Sequence, residues 1–210
     1  MSLAQKVMST MSQRAYIATL TFFVSGGLLL ATFVASQTQQ MEMHWWWIIP
    51  YFLVTIPGIV LSAKSDNWQV SLIGYIMVII PTGWILGPYS HGFTKAHLMQ
   101  SALTTACVTI AVGVCGAIYP KSVESWGGLL LTALFVLILG DFARAFMPMF
   151  GLAPAALKFW DWVGMFIFAG YIFYDMNQAM REEYTLDNAV DRSVGLYLNI
   201  INFFIRDNND

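Results

Sequence analysis

Val194-Gly-Leu-Tyr-Leu-Asn-Ile-Ile-Asn-Phe-Phe-Ile205 is the stretch that decides how this chain folds. It is apolar enough for a membrane interior, yet only twelve residues long, where about 20 are needed to cross the hydrocarbon core as a helix. Asp191 and Arg192 stop it on one side. Arg206-Asp207-Asn208-Asn209-Asp210 stops it on the other. Within it, Asn199 and Asn202 are three residues apart and so share a helix face. Bare amides facing lipid are expensive. The stretch therefore predicts a final helix enclosed by other helices, with its amide face turned to protein or water.

Six further apolar segments precede it and supply those helices: Tyr16–Ala35, Trp45–Leu61, Val70–Leu86, Leu98–Tyr119, Trp126–Phe146 and Phe159–Met176, with Ala189–Ile205 as the seventh. The first four carry no Asp, Glu, Lys or Arg. Hydrophobic residues make up 58% of the 210 and charged residues only 10%, against roughly 25% in a soluble domain. Most of the surface is therefore not built to meet water. Seven spans use about 140 residues and leave no room for a second domain. The expected architecture is an all-α membrane protein, a seven-transmembrane-helix bundle with the C-terminal helix central. It comprises an N-terminal tail at 1–15, a membrane domain at 16–206 and a polar tail at 207–210. A net charge of −2 gives no reason to expect nucleic acid, and the expected partner is the lipid bilayer.

Tryptophan marks the segment edges, at Trp45-Trp46-Trp47, Trp68, Trp84, Trp126, Trp160 and Trp162, as indoles prefer the headgroup layer. Small residues, among them Gly26-Gly27, Gly113, Gly116, Gly127-Gly128, Gly164, Gly170 and Gly195, allow close helix approach where lipid removes the hydrophobic drive. Pro50, Pro57 and Pro81 are expected to kink the second and third helices. With the N-terminus inside, Lys6, Arg14, Lys64, Lys121, Arg181 and Arg192 fall inside, and Lys95, Arg144, Lys158 and Arg206 outside. That bias favours a cytoplasmic N-terminus. Cys107 and Cys115 lie in one apolar run without metal or disulfide spacing and read as small buried side chains.

Ionisable residues inside spans are functional candidates. Asp175 ends the sixth segment in Tyr171-Ile-Phe-Tyr-Asp-Met-Asn-Gln178, and Asp141 sits late in the fifth in Leu139-Gly-Asp-Phe-Ala-Arg144. Asp175 is either a carboxylate tuned by burial into a proton-operated latch or a wet helix end. Asp141 and Arg144, three apart, read as a local ion pair or a second intramembrane acid. Asp161 reads as interfacial. The two aspartates do not carry the glycine pattern or the order of an intramembrane aspartyl protease. His44, His91 and His97 have no one-face spacing for a metal, and no nucleophile–base set is present. Neither enzymatic activity nor a cofactor is expected.

Three stretches resemble the transmembrane Bax inhibitor motif family: Thr82-Gly-Trp-Ile-Leu-Gly-Pro88; Ala102-Leu-Thr-Thr-Ala106 through Tyr119-Pro-Lys-Ser and Trp126-Gly-Gly128; and Tyr174-Asp175 with Gln178, followed by Leu196-Tyr-Leu-Asn-Ile-Ile-Asn-Phe-Phe204. The resemblance implies seven helices with the last in the centre and a proton-sensitive leak for calcium ions or protons, in which acids on the sixth and seventh helices share a proton. Carried over, the first acid is Asp175. The second position is Asn199, an amide, with Asn202 beside it, and Asp191 lies eight residues too early to replace it. An amide donor supports an ionised carboxylate, so pH gating is expected to be blunted or moved to lower pH. A second branch of the family is implied as well: bacterial inner-membrane proteins that modulate a membrane AAA protease without conducting. Met1–Arg14 would then be the handle such a protease grips.

Overall fold

The computed structural model describes residues 10–42, 44–147 and 157–208. Among these residues the chain is helical, with seven α-helices: α1 Gln13–Thr38, α2 Ile48–Lys64, α3 Trp68–Ser90, α4 Lys95–Ile118, α5 Trp126–Phe146, α6 Leu157–Ala179 and α7 Leu186–Asn208. A 3-10 turn, Trp45–Trp47, leads into α2. Each apolar segment became one helix, extended at most ends by polar residues. Four helices (α1, α3, α4 and α5) are long and apolar enough to cross a membrane by length and composition, and α2 is a shorter apolar helix. The helices are inverted relative to a soluble protein. Phe22 and Leu29 of α1 and Leu129 and Phe135 of α5 are exposed, while the buried positions hold glycine, serine and threonine as often as large apolar groups.

Backbone contacts divide the chain into two units. The first comprises residues up to Lys95 with Glu182–Tyr197, and the second comprises Ala96–Arg181 with Leu198 onward. Helix α7 contributes its first half to one and its second half to the other.

In the first unit α2 and α3 meet backbone to backbone. A Cβ on Gly58 would stand 2.8 Å from the Gly74 carbonyl oxygen, and one on Gly74 would stand 2.5 Å from that of Gly58. Only a residue without a side chain permits this approach. Gly27 of α1 lies beneath Tyr75 of α3, whose hydroxyl donates to the Phe23 carbonyl at 3.1 Å. Its neighbour Gly26 faces open space. Helix α2 runs through Pro57 and α3 through Pro81 and Pro88. Pro50 sits in the first turn of α2, where a missing N–H costs nothing.

In the second unit Leu137 of α5, Met165 and Phe168 of α6 and Phe203 of α7 form the core, with Val108 of α4 packed against it. The buried stripe of α4 is Ser101, Thr105, Gly113 and Gly116, spaced four, eight and three residues apart as one helix face allows. Cys107 and Cys115 fall off that stripe and are exposed. The expectation that they are buried is therefore corrected: both lie two residues past a buried position, Thr105 and Gly113, and so on a different side of the helix.

Helix α7 differs from the twelve-residue run that predicted it. It spans 23 residues, about 35 Å, because Leu186–Ser193 and Arg206–Asn208 continue the helix beyond both ends of the apolar stretch. None of its residues is exposed. The C-terminal helix is thus the enclosed one, as its amides required. Of the polar tail expected at 207–210, Asp207 and Asn208 are helical, and the last two residues lie outside the described ones. At the other end Lys6 lies outside the described residues. Thr10 and Met11 are tied down: Thr10 bridges to Thr185, and the Met11 N–H donates to the Tyr184 carbonyl at 2.8 Å. Ser12 then caps α1 by accepting from the Ala15 N–H.

Candidate functional site

The last turns of α6 bring Asp175 against the middle of α7. Asn199 donates its Nδ2–H to Asp175 Oδ2 at 2.7 Å. Asp175 is 8% exposed and Asn199 half-buried, so the contact is partly buried, and an ionised acceptor makes such a bond shorter and stronger than a neutral one. Tyr171, one turn earlier on α6, lies within electrostatic range of the same carboxylate. Asn202 shares the Asn199 face but turns to its own helix, donating to the Leu198 carbonyl at 2.8 Å. Gln178 Nε2 is buried with no partner among the described residues.

The other end of the second unit holds four charges. Arg206, at the end of α7, donates Nη1–H to Asp161 Oδ1 at 3.2 Å and Nη2–H to Asp141 Oδ2. Arg144 reaches both oxygens of Asp161 at 3.0 Å. Trp160 donates its indole N–H to Asp141 Oδ1 at 3.1 Å. The local pair expected between Asp141 and Arg144 is thus replaced by cross-helix partners. Asp161 is 1% exposed and bonded inside this network, which Trp160 joins through its indole N–H. Gly140 seats the Trp160 ring and Gly164 seats the Arg206 guanidinium, where any side chain would collide. Two cations and two anions leave the cluster neutral, the condition under which buried charge is tolerable.

A third polar contact in this unit is structural. Asn177, 1% exposed, accepts from the Val123 N–H at 3.1 Å and donates to the carbonyls of Gly116, Tyr119 and Lys121 at 3.2–3.3 Å. It holds the α4–α5 connection to α6. The Gly116 carbonyl needs this donor because the residue four positions on is Pro120, which has no N–H.

Asp191 lies in the first unit. It accepts from Ser62 Oγ of α2 at 2.5 Å, and its neighbour one turn back, Asp187, accepts from Ser71 Oγ of α3 at 2.8 Å. Glu182 accepts from the Tyr16 hydroxyl at 2.7 Å and from Arg192 Nε at 2.9 Å. These contacts fasten the start of α7 to α1, α2 and α3.

Sequence reasoning brought Asp175 and Asn199 forward as a pair, and they are in contact. It missed Arg206 and Asn177. The available signal for Arg206 was an arginine directly ending the twelve-residue apolar run Val194–Ile205. For Asn177 no signal along the chain pointed to its partners at Gly116, Tyr119, Lys121 and Val123, which lie 54–61 residues away.

Residues 12–206 match the family model described as "Inhibitor of apoptosis-promoting Bax1". The chain is 33% identical over 161 residues to the BI1-like protein of Arabidopsis thaliana, covering 73% of this chain and 61% of that protein. It is 26% identical over 184 residues to Protein LIFEGUARD 4 of the same plant (84% and 70% covered), and 25% identical over 169 residues to Bax inhibitor 1 of Schizosaccharomyces pombe (79% and 61%). The chain therefore spans about three fifths of the length of two of these three relatives. Since the match runs through all seven helices and the enclosed last helix, this chain is a multi-pass membrane protein of the Bax inhibitor family.

Proposed function

We propose that the protein is an ion leak of a bacterial inner membrane, passing calcium ions or protons, with its N-terminus in the cytoplasm and Asp175 as the proton-sensitive group. The observation that carries this reading is the partly buried Asp175–Asn199 contact. A carboxylate held between two helices changes its bonding when it takes up a proton: ionised, it accepts the Asn199 N–H, and protonated, it becomes a donor itself. The contact between α6 and α7 therefore depends on one proton. Because the Asn199 partner is an amide, it brings no second acid to this contact, and the proton sharing of a paired-acid site is not available between these two residues.

The test is reconstitution into liposomes loaded with a calcium-sensitive dye. The expected result is a flux that rises with protein dose and changes in Asp175→Asn, and that gains a pH dependence between about pH 5 and 8 in Asn199→Asp, where two acids must share a proton. Absence of flux for all three proteins across that range refutes the leak.

The missing second acid also favours another reading, a non-conducting modulator of a membrane AAA protease that grips residues 1–14. A pull-down that recovers such a protease from membranes, and loses it when residues 1–14 are deleted, supports that role. The two assays succeed or fail separately.

A further inference from the structure

Six threonines inside these helices share one habit, while Thr55, Thr105 and Thr109 depart from it with buried hydroxyls that have no partner among the described residues. Thr21, Thr32, Thr38, Thr82, Thr104 and Thr132 each donate to the carbonyl four residues earlier, at 2.7–3.2 Å. That bond is the cheapest way to place a hydroxyl in an apolar setting. Thr105 and Thr109 of α4 do not form it. Both Oγ1 atoms are buried without a partner among the described residues, and Thr105 is 4% exposed. They belong to a row at four-residue spacing: His97, Ser101, Thr105, Thr109. At the head of that row His97 Nε2 meets the Asn208 carbonyl at 3.1 Å. Asn208 is itself 2% exposed, and its Oδ1 is buried and unpartnered.

Three orphaned polar atoms in one unit, each beside the same helix face, are not a dry arrangement. A buried hydroxyl without a partner is costly, and native structures meet such groups with ordered water that makes two to four bonds. The spacing suits it. Residues four apart on a helix have Cβ atoms about 5–6 Å apart, so one water at ordinary hydrogen-bond length reaches both Thr105 and Thr109. The alternative outlet, the carbonyl four residues back, is one that Thr21, Thr32, Thr38, Thr82, Thr104 and Thr132 all take.

We propose that the inward face of α4 holds a file of buried water bonded by Thr105 and Thr109 and entered beside His97 and Asn208. The occupant is water itself, and the inference does not depend on whether Asp175 controls an ion. Val108, next to Thr109 in sequence, packs against the apolar block of Leu137, Met165, Phe168 and Phe203. The outward face of α4, with Leu103 at 61% and Ile110 at 67% exposure, meets lipid instead.

The test uses the full chain in liposomes, with Cys107→Ala and Cys115→Ala removing the native thiols. Single cysteines then replace Thr105, Thr109, Leu103 or Ile110. The probe is methanethiosulfonate ethylammonium, which attacks the thiolate, a species that forms only where water reaches the sulfur. The expected result is modification at positions 105 and 109 at least about tenfold faster than at 103 and 110, a ratio set by thiolate access. Equal, slow modification at all four positions overturns the proposal. A second measurement reads the same question without cysteine. Thr105→Val lowers the unfolding midpoint if water must be displaced from a bonded site. It raises the midpoint if the hydroxyl was merely orphaned in a dry core, and that rise also overturns the proposal.

Discussion

Replacing Asn177 with alanine tests whether one amide fastens the α4–α5 connection to α6. Of the groups it serves, the Val123 N–H and the Gly116 carbonyl are bonded in buried surroundings. The Tyr119 and Lys121 carbonyls lie at more open positions, where water replaces the lost donor. Each buried group left unpartnered costs about 1–3 kcal/mol, so the two together predict a loss of about 2–6 kcal/mol. Pro120 prevents the helix from rescuing Gly116. The loss is read from denaturant unfolding in detergent, followed by tryptophan fluorescence. Trp126, stacked on Phe173 at 5.7 Å between ring centroids, is a reporter within the affected region. Asn177→Asp separates the two halves of the amide. It keeps the acceptor for Val123 but loses every donor to the three carbonyls, so it is expected to be at least as damaging as alanine. If both variants unfold within about 0.5 kcal/mol of the parent, the range of ordinary surface changes, the clamp is decorative and the reasoning fails.

Arg206→Leu removes one of the two cations holding Asp161, and a loss of about 3–5 kcal/mol is expected from leaving buried carboxylates undercompensated. Adding Asp141→Asn in the same chain should recover part of it, measured as the coupling in a double-mutant cycle; strict additivity would deny the network. Gly58→Ala forces a methyl to within 2.8 Å of the Gly74 carbonyl and is expected to cost about 1–3 kcal/mol as overpacking. Gly26→Ala, whose Cβ meets open space, serves as the matched control and should be neutral or slightly stabilising on thermal unfolding.

Element positions were legible because lipid writes them in composition. Trp126–Phe146 was read with the boundaries that the helix has, and the other six apolar runs each locate a helix. The enclosed final helix was legible for a different reason: Asn199 and Asn202 could not face hydrocarbon. What remained hidden were partners distant in sequence. Arg144 and Asp141 are close enough along the chain to suggest each other, yet their actual partners stand 17 and 65 residues away. Spacing rules describe one helix face and say nothing about which other helix covers it. The cysteines were misplaced for the same reason: an apolar run that is uniformly hydrophobic does not disclose which side is buried until neighbouring helices claim one. The candidate pair was reached through family resemblance, since periodicity alone puts Asp175 and Asn199 on two helices with no register between them.

The shared membership of α7 has a consequence for biosynthesis. The first three helices emerge from the ribosome early, yet the first unit also needs Glu182–Tyr197, residues made almost 90 positions after Lys95. The second unit waits for Leu198 and beyond. Neither unit can finish its packing until the last 30 or so residues have been synthesised and inserted. A translation arrest anywhere before that point would leave both as open helix sets with their serines, threonines and glycines turned to lipid, ready to be claimed by degradation machinery.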